Sequence, residues 1–332
     1  FVPIPWLINF VRANLGAQDT FLPLFSILAV LFTLMEEGLR FAAIDVGSNA
    51  MRLFFCRVVE NNHGPTFVKE SMIRMPLRLG HDAFTAGTIS TETCDRFVDT
   101  MHGFKALMRA YDPITFKACA TSAMRQAENG MKLVDRVKNE TGIDLIIISG
   151  KEEAKIIIAT HIDRHLKLKQ HCLYVDVGGG STELTLIMDK KTLASKSFPI
   201  GSVRLLEKQV ANADWAGMEE WIVNKVSKIN NIQSIGSGGN INKILTLLQK
   251  TKGNSVTISE IESTIRKIEP YSIHDRVVKL ELRPDRADVI VHAGKIYSRC
   301  MQWSGAKEMV VPQVGLPDGI VSQLYSDYKL KN

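Results

Sequence analysis

The sequence has no Cys-x-x-Cys pair and no Cys/His cluster, and its five cysteines, Cys56, Cys94, Cys119, Cys172 and Cys300, are odd in number. That excludes a disulfide framework and structural zinc, and it fits a reducing cytoplasmic setting. A Walker loop, a Gly-x-Ser-x-Gly elbow and a His-Glu-x-x-His pair are missing too, removing P-loop, serine-hydrolase and zincin chemistry. Charge of one sign is scarce: 41 Lys and Arg against 35 Asp and Glu give +6. This excess suits an anionic ligand but not a nucleic-acid surface, so nucleic acid is not an expected partner. The apolar stretch 21–35 contains Pro23 and falls short of the roughly 20 residues that span a bilayer. Because Met35 precedes a strand-like run, the expectation is that Met35 is the natural start and 1–40 an apolar extension outside the fold. The alternative is that 1–34 is a genuine anchor, the one case that would make a membrane a partner. The pairs His81-Asp82 and His274-Asp275 lack the further ligands of a metal-dependent HD site and read as surface residues.

What is present is an ordinary globular composition, 45% apolar and 23% charged, in 332 residues, enough for two domains each with its own core. An internal repeat divides the chain. "FAAIDVGSNAMRLFF" at 41–55 and "LYVDVGGGSTELTLI" at 173–187 match in outline, with Asp45 paired to Asp176 and Gly47 to Gly178 at a constant separation of 131. The polar run 164–171 is the expected boundary, giving domains 41–167 and 168–332. The remainder is mixed α/β: 144–149 reads as a buried strand, and helices are expected near 90–110, 127–140, 151–165, 215–230, 240–250, 258–268 and 284–302.

A strand ending in Asp, followed by Gly and small residues, makes a tight turn whose N–H groups can approach phosphate, since missing side chains permit positive φ and close contact. An aspartate beside such a turn can hold Mg²⁺, which prefers one or two carboxylates with waters. One such turn is more often a plain hairpin; two at matched positions favour a phosphate clamp. A third, Gly236-Ser237-Gly238-Gly239 before a helical run, reads equally as an anion cradle or as loop geometry.

Ser149 and Glu152 have capping-box spacing, which leaves Glu153 on the first helical turn without a structural task. In a phosphate-lined cleft it would suit a general base for water; the local alternative is a favourable charge at a helix start. Glu183 with Asp176 could bracket a metal. Thr121, Ser122 and Arg125 sit at a strand-to-helix junction where hydroxyls and a guanidinium would meet phosphate, or simply cap a helix.

Together "AAIDVGSNAMRLFF", "ATSAMRQAENG", "SGKEEAKIIIATHI", "YVDVGGGSTELTLI", "FPIGSVRLLE" and "RADVIVHAGKIY" resemble, in order and spacing over about 41–325, the exopolyphosphatase and guanosine pentaphosphate phosphatase (Ppx/GppA) family. The resemblance implies an α/β protein of the actin, Hsp70 and sugar-kinase superfold, with two ribonuclease H-like domains and the active site in the cleft between them. It also implies removal of a terminal phosphate from polyphosphate or guanosine pentaphosphate with Mg²⁺ or another divalent cation. By resemblance Glu153 is the carboxylate that activates water, and Asp176, Glu183 and Asp45 are the metal-side acids. Ser48, Asn49, Arg52, Thr121, Ser122, Arg125, Gly178, Gly179, Gly180 and Ser181 contact phosphate, and Arg78 with Gly236, Ser237, Gly238 and Gly239 reach the distal substrate. Departures from the family pattern fall at Gly239-Asn240 and at Pro317-Asp318, both on the side of the distal contacts. The chain stops at Asn332 without the added helical domains of long members, so short substrates are expected unless a homodimer extends the groove. A phosphotransferase of the same superfold and a nonenzymatic sensor rank below the hydrolase.

Overall fold

Six consecutive buried residues, Phe41 to Val46, make Leu39–Val46 (β1) a strand apolar on both faces, as a central strand must be when elements cover both sides of its sheet. The computed structural model describes residues 38–158, 171–189, 191–250 and 253–332. Two compact units are present, one comprising the chain up to Leu39 with Arg57–Val68, the other Arg40–Cys56 with Lys69–Asn332. Within the first, Asn61 Nδ2 donates to Thr66 Oγ1 at 2.8 Å and Asn61 Oδ1 accepts from the His63 amide, closing a hairpin tip. The second unit holds the two cores and the site. Among the described residues no helix is long and apolar enough to cross a membrane.

The first sheet is completed by Met51–Asn61 (β2), Gly64–Met75 (β3), Thr115–Ala120 (β4) and Leu145–Ile147 (β5), in the order β3-β2-β1-β4-β5, with β4 parallel to β1 and to β5. The second sheet contains Cys172–Val177 (β6), Thr182–Met188 (β7), Lys191–Phe198 (β8), Gln233–Ser237 (β9), Ser255–Thr257 (β10) and Glu308–Val310 (β11), in the order β10-β11-β9-β6-β7-β8. Apart from the edge strand β10 the second order reproduces the first, strand for strand. The internal repeat read from the sequence is thus a repeated sheet, the α/β architecture that the resemblance implies.

Helices follow in chain order: α1 Leu79–Thr85, α2 Thr91–Tyr111, α3 Ser122–Gln126, α4 Gly130–Thr141, α5 Gly150–Ile158, α6 Ser202–Leu206, α7 Asn212–Val226, α8 Gly239–Leu247, α9 Ile258–Ile268, α10 Ile273–Val278, α11 Pro284–Ala287, α12 Ile290–Ser304 and α13 Leu316–Lys331. The helix expected over 284–302 is broken into α11 and α12. The break lets Asp285 and Asp288 both reach residues of the first half, Arg74 and Arg78. The boundary expected at 164–171 falls almost wholly outside the described residues, as do Met35 and 1–34.

Two helices cross between the sheets. α5, from the first half of the chain, packs on β7 and β8. α13 returns to β4 and to α5, and Tyr325 and Tyr328 meet the Phe41 ring edge-on at 6.3 and 6.0 Å. The α5–α13 contact is backbone-close, because a Cβ on Gly319 would lie 2.2 Å from the Ile156 carbonyl oxygen. Overpacking a tight core contact typically costs about 1–3 kcal/mol, so Gly319→Ala should lower the urea midpoint with an unchanged slope. A wild-type midpoint would show that α5 and α13 separate without penalty.

Candidate active site

The two Asp-Gly turns are built alike. Asp45 and Asp176 end β1 and β6; Gly47 N donates to Ala50 O at 3.1 Å and Gly178 N to Ser181 O at 2.9 Å. Each turn is then buttressed by the short helix after the third strand of its sheet. Arg78 N and Gly80 N at the start of α1 donate to Asn49 O and Ser48 O, while Ser202 N and Val203 N at the start of α6 donate to Gly178 O and Gly179 O. The carbonyls are spent in this way, whereas the amides of Ser48, Asn49, Gly179 and Gly180 have no backbone acceptor among the described residues.

The reason for the glycines differs from the sequence expectation. None of Gly47, Gly178, Gly179 and Gly180 has a positive φ. The need is for close approach, since a Cβ on Gly179 would sit 2.9 Å from Ser48 Cβ and one on Gly180 would sit 2.5 Å from Ser122 Oγ. The second turn therefore touches the first turn and the start of α3 directly. Gly238, in the third turn, does carry a positive φ of 115° at the start of α8.

A cavity of about 400 Å³ opens where the turns meet. Asp45, Ser48, Asn49, Arg52, Thr121, Ser122, Glu153, Asp176, the three glycines 178–180, Ser181, Ser237, Gly238 and Gly239 line it, as expected. Four expected residues do not. Gly236 lies inside β9, where a Cβ would strike Met309 Sδ at 2.3 Å, so its role is packing. Arg78 pairs with Asp288 at 2.5 Å. Arg125 donates to the Ile148 carbonyl at 2.5 Å and stands 4.0 Å from Glu153, outside the cavity lining. Glu183 lies beneath the cavity surface, its Oε1 accepting from Ser181 Oγ at 2.7 Å and Ser197 Oγ at 2.8 Å. Thr121 lines the cavity, but its hydroxyl is engaged with the Val46 carbonyl.

Glu152 forms the expected capping box, accepting from the Ser149 amide and hydroxyl at 2.9 and 2.8 Å. Glu153 is buried next to it, and its Oε2 has no hydrogen-bond partner. Burial first, then the charges of Glu183 and Asp176, raise the Glu153 carboxyl well above the ordinary range. Burial, then Glu183 and Asp45, push Asp176 up to about 7. Asp176 and Glu183 face each other in register on β6 and β7. At the same register in the first sheet stands Arg52, whose guanidinium pairs with Asp45 at 2.5 Å.

The expected metal set therefore does not assemble as three ligands: among the described residues no group of three or more His, Cys, Asp or Glu converges on one point. Asp45 is committed to Arg52 and Glu183 to two hydroxyls. A magnesium ion needs only one or two carboxylates, however, and the crowded acids around Asp176 form a hard-oxygen set whose mutual repulsion a cation would offset. The residues fit such an ion.

Lys69, Arg74, Arg283 and Arg286 also line the cavity and escaped the sequence reading. The signal for two of them was the basic-acidic run "LRPDRAD". Arg286 has no carboxylate partner among the described residues. Burial, then repulsion from Arg74, press it down to about 10, which leaves it cationic at neutral pH. At the Pro317-Asp318 departure, Asp318 caps the start of α13 by accepting from the Gly315 amide at 2.9 Å and pairs with Lys69 at 2.9 Å.

Known proteins resemble the chain in sequence and in fold. Exopolyphosphatase 1 of Mycobacterium tuberculosis is 29% identical over 167 residues, 50% of this chain and 48% of that protein. A bifunctional 3-dehydroquinate synthase/phosphatase of Fusobacterium nucleatum is 26% identical over 299 residues, 82% of this chain and 44% of that protein. The chain spans about half the length of the curated relatives it matches. Among solved structures, an exopolyphosphatase from Cytophaga hutchinsonii superposes with a TM-score of 0.75 at 22% identity, covering 87% of this chain and 98% of that one. A Ppx/GppA family member from Aquifex aeolicus superposes at 0.68, also at 22% identity and with the same coverage; both share the fold. The model of the Ppx/GppA phosphatase family matches residues 58–327, and the chain belongs to that family.

Proposed function

We propose that the chain is a phosphoanhydride hydrolase that releases the terminal phosphate of inorganic polyphosphate, with guanosine pentaphosphate as the alternative substrate. One observation carries the reading: Glu153 Oε2, buried and without a hydrogen-bond partner, borders a cavity that two glycine turns with uncommitted amides also line. A carboxylate that keeps a proton more firmly than usual, without a hydrogen-bond donor of its own, is suited to take one from water.

Substrate phosphates would rest against the amides of the two turns and the hydroxyls of Ser48 and Ser122, with Arg52 and Arg286 supplying positive charge. Arg125, 4.0 Å from Glu153, supplies a positive charge beside the carboxylate. Water in front of Glu153 loses its proton to the carboxylate as it attacks the terminal phosphorus, and the displaced phosphate oxygen leaves on the opposite side. Asp176, with Glu183 beside it, would hold the divalent cation, which when bound supplies charge neutralisation of the transferring phosphoryl group. Positioning and charge stabilisation account for most of the rate in such transfers.

Phosphate release from polyphosphate and from guanosine pentaphosphate, with Mg²⁺ and with chelator, tests the reading; the ratio of the two rates names the substrate. Chelator should stop release. Glu153→Gln should reduce kcat by about 10²- to 10⁴-fold while tripolyphosphate still binds, and a variant that keeps turning over would remove Glu153 from the role of base.

The raised carboxyls have a consequence for stability. A group whose folded-state value lies above its unfolded value binds more protons when folded, so its contribution is favourable at low pH and is lost as pH rises through the folded value. For Asp176 that loss begins above the ordinary carboxylate range and is complete just above pH 7. Metal-free protein should therefore melt at a lower temperature at pH 8 than at pH 6, and Glu153→Gln should narrow the gap by raising the pH 8 melting temperature. An equal shift at both pH values would mean that the acids do not repel one another in the folded chain.

A further inference from the structure

We propose that Asp285 is a specificity-determining carboxylate, a built-in anion that occupies Arg74 and Asn49 and so competes with substrate phosphates for the cleft. The inference rests on the reading above, that the cleft binds phosphoanhydride anions.

Arg74 and Asp285 form an ion pair whose side chains are only 10% and 8% exposed. Asn49, a phosphate-contact candidate at the tip of the first turn, donates its amide to the Asp285 carbonyl at 2.6 Å and to its carboxylate at 3.3 Å. Three residues along the chain, Asp288 makes the corresponding pair with Arg78. One short segment thus supplies acids to two groups, Asn49 and Arg78, that were expected to contact substrate.

The network is not saturated. Arg74 Nε, Asn49 Oδ1 and Asp288 Oδ1 are buried without partners. A guanidinium with an unused N–H at a cavity wall can accept a second anion in place of the first, and phosphate offers the same planar two-oxygen edge as carboxylate. Arg74 and Asn49 border the cavity while Asp285 stands behind them, so its negative charge lowers the potential that an entering phosphate meets. Removing one like charge at such short range strengthens anion binding whether or not the pair opens.

Calorimetric titration of inorganic tripolyphosphate into the full chain, without divalent metal, tests this. Asp285→Asn should lower Kd by roughly tenfold and steepen its dependence on ionic strength, whereas Arg74→Gln should raise Kd and flatten that dependence. A Kd that is unchanged or raised in Asp285→Asn, or absence of binding in every form, overturns the proposal. If circular dichroism shows that Asp285→Asn does not fold, Asp285→Ser takes its place: it removes the same charge and should also tighten binding, and unchanged affinity would again overturn the proposal. Hydrolysis is not read in this experiment. A chain that binds tripolyphosphate but releases no phosphate sinks the hydrolase reading alone, and a chain that hydrolyses while Asp285→Asn binds no tighter sinks only this one.

Discussion

The direct contact of Gly179 and Gly180 with Ser48 and Ser122 is the constraint on which the site depends. Two loops meeting without side chains between them bring four strand-end and helix-start acids, Asp45, Glu153, Asp176 and Glu183, close enough to perturb one another. Arg204 reinforces the contact. It is buried, donates to the Gly180 carbonyl at 2.9 Å and to Gln126 of α3, and lies over the Phe84 ring at 4.1 Å. Any side chain inserted at the glycines would separate the turns and with them the acids.

The duplication was legible because the residues that dictate a tight turn after a buried strand are local, and the constant separation of 131 survived in both copies. Glu153 could be singled out by elimination, once Glu152 was recognised as the cap. The significance of the glycines was read less well: sequence cannot distinguish a residue that needs a positive φ from one that needs an approaching neighbour, and here the neighbour came from another lobe. Arg78, Arg125 and Gly236 were expected at the substrate and fall outside the cavity lining. Arg283 and Arg286 were signalled only by the run "LRPDRAD", and Arg74 could not be anticipated, because nothing on a third strand marks which basic side chains the fold will gather around one cavity.

The two copies differ where it matters most for charge. The position that carries Glu183 on β7 carries Arg52 on β2, so Asp176 faces a second acid while Asp45 faces a cation. An architecture that repeats its backbone has thereby become electrostatically lopsided. One half concentrates negative charge that favours protonation or a metal ion, and the other is neutralised internally.

The crossing of α5 and α13 carries a consequence for how the site comes into being. The helix that bears Glu153 leans on strands made after it and is backed by residues 316–331, which are made long after it. A partly synthesised chain can build its first sheet from neighbouring segments, yet it holds Glu153 without the wall behind it. The wall behind Glu153 is therefore complete only once α13 has docked on α5 and β4.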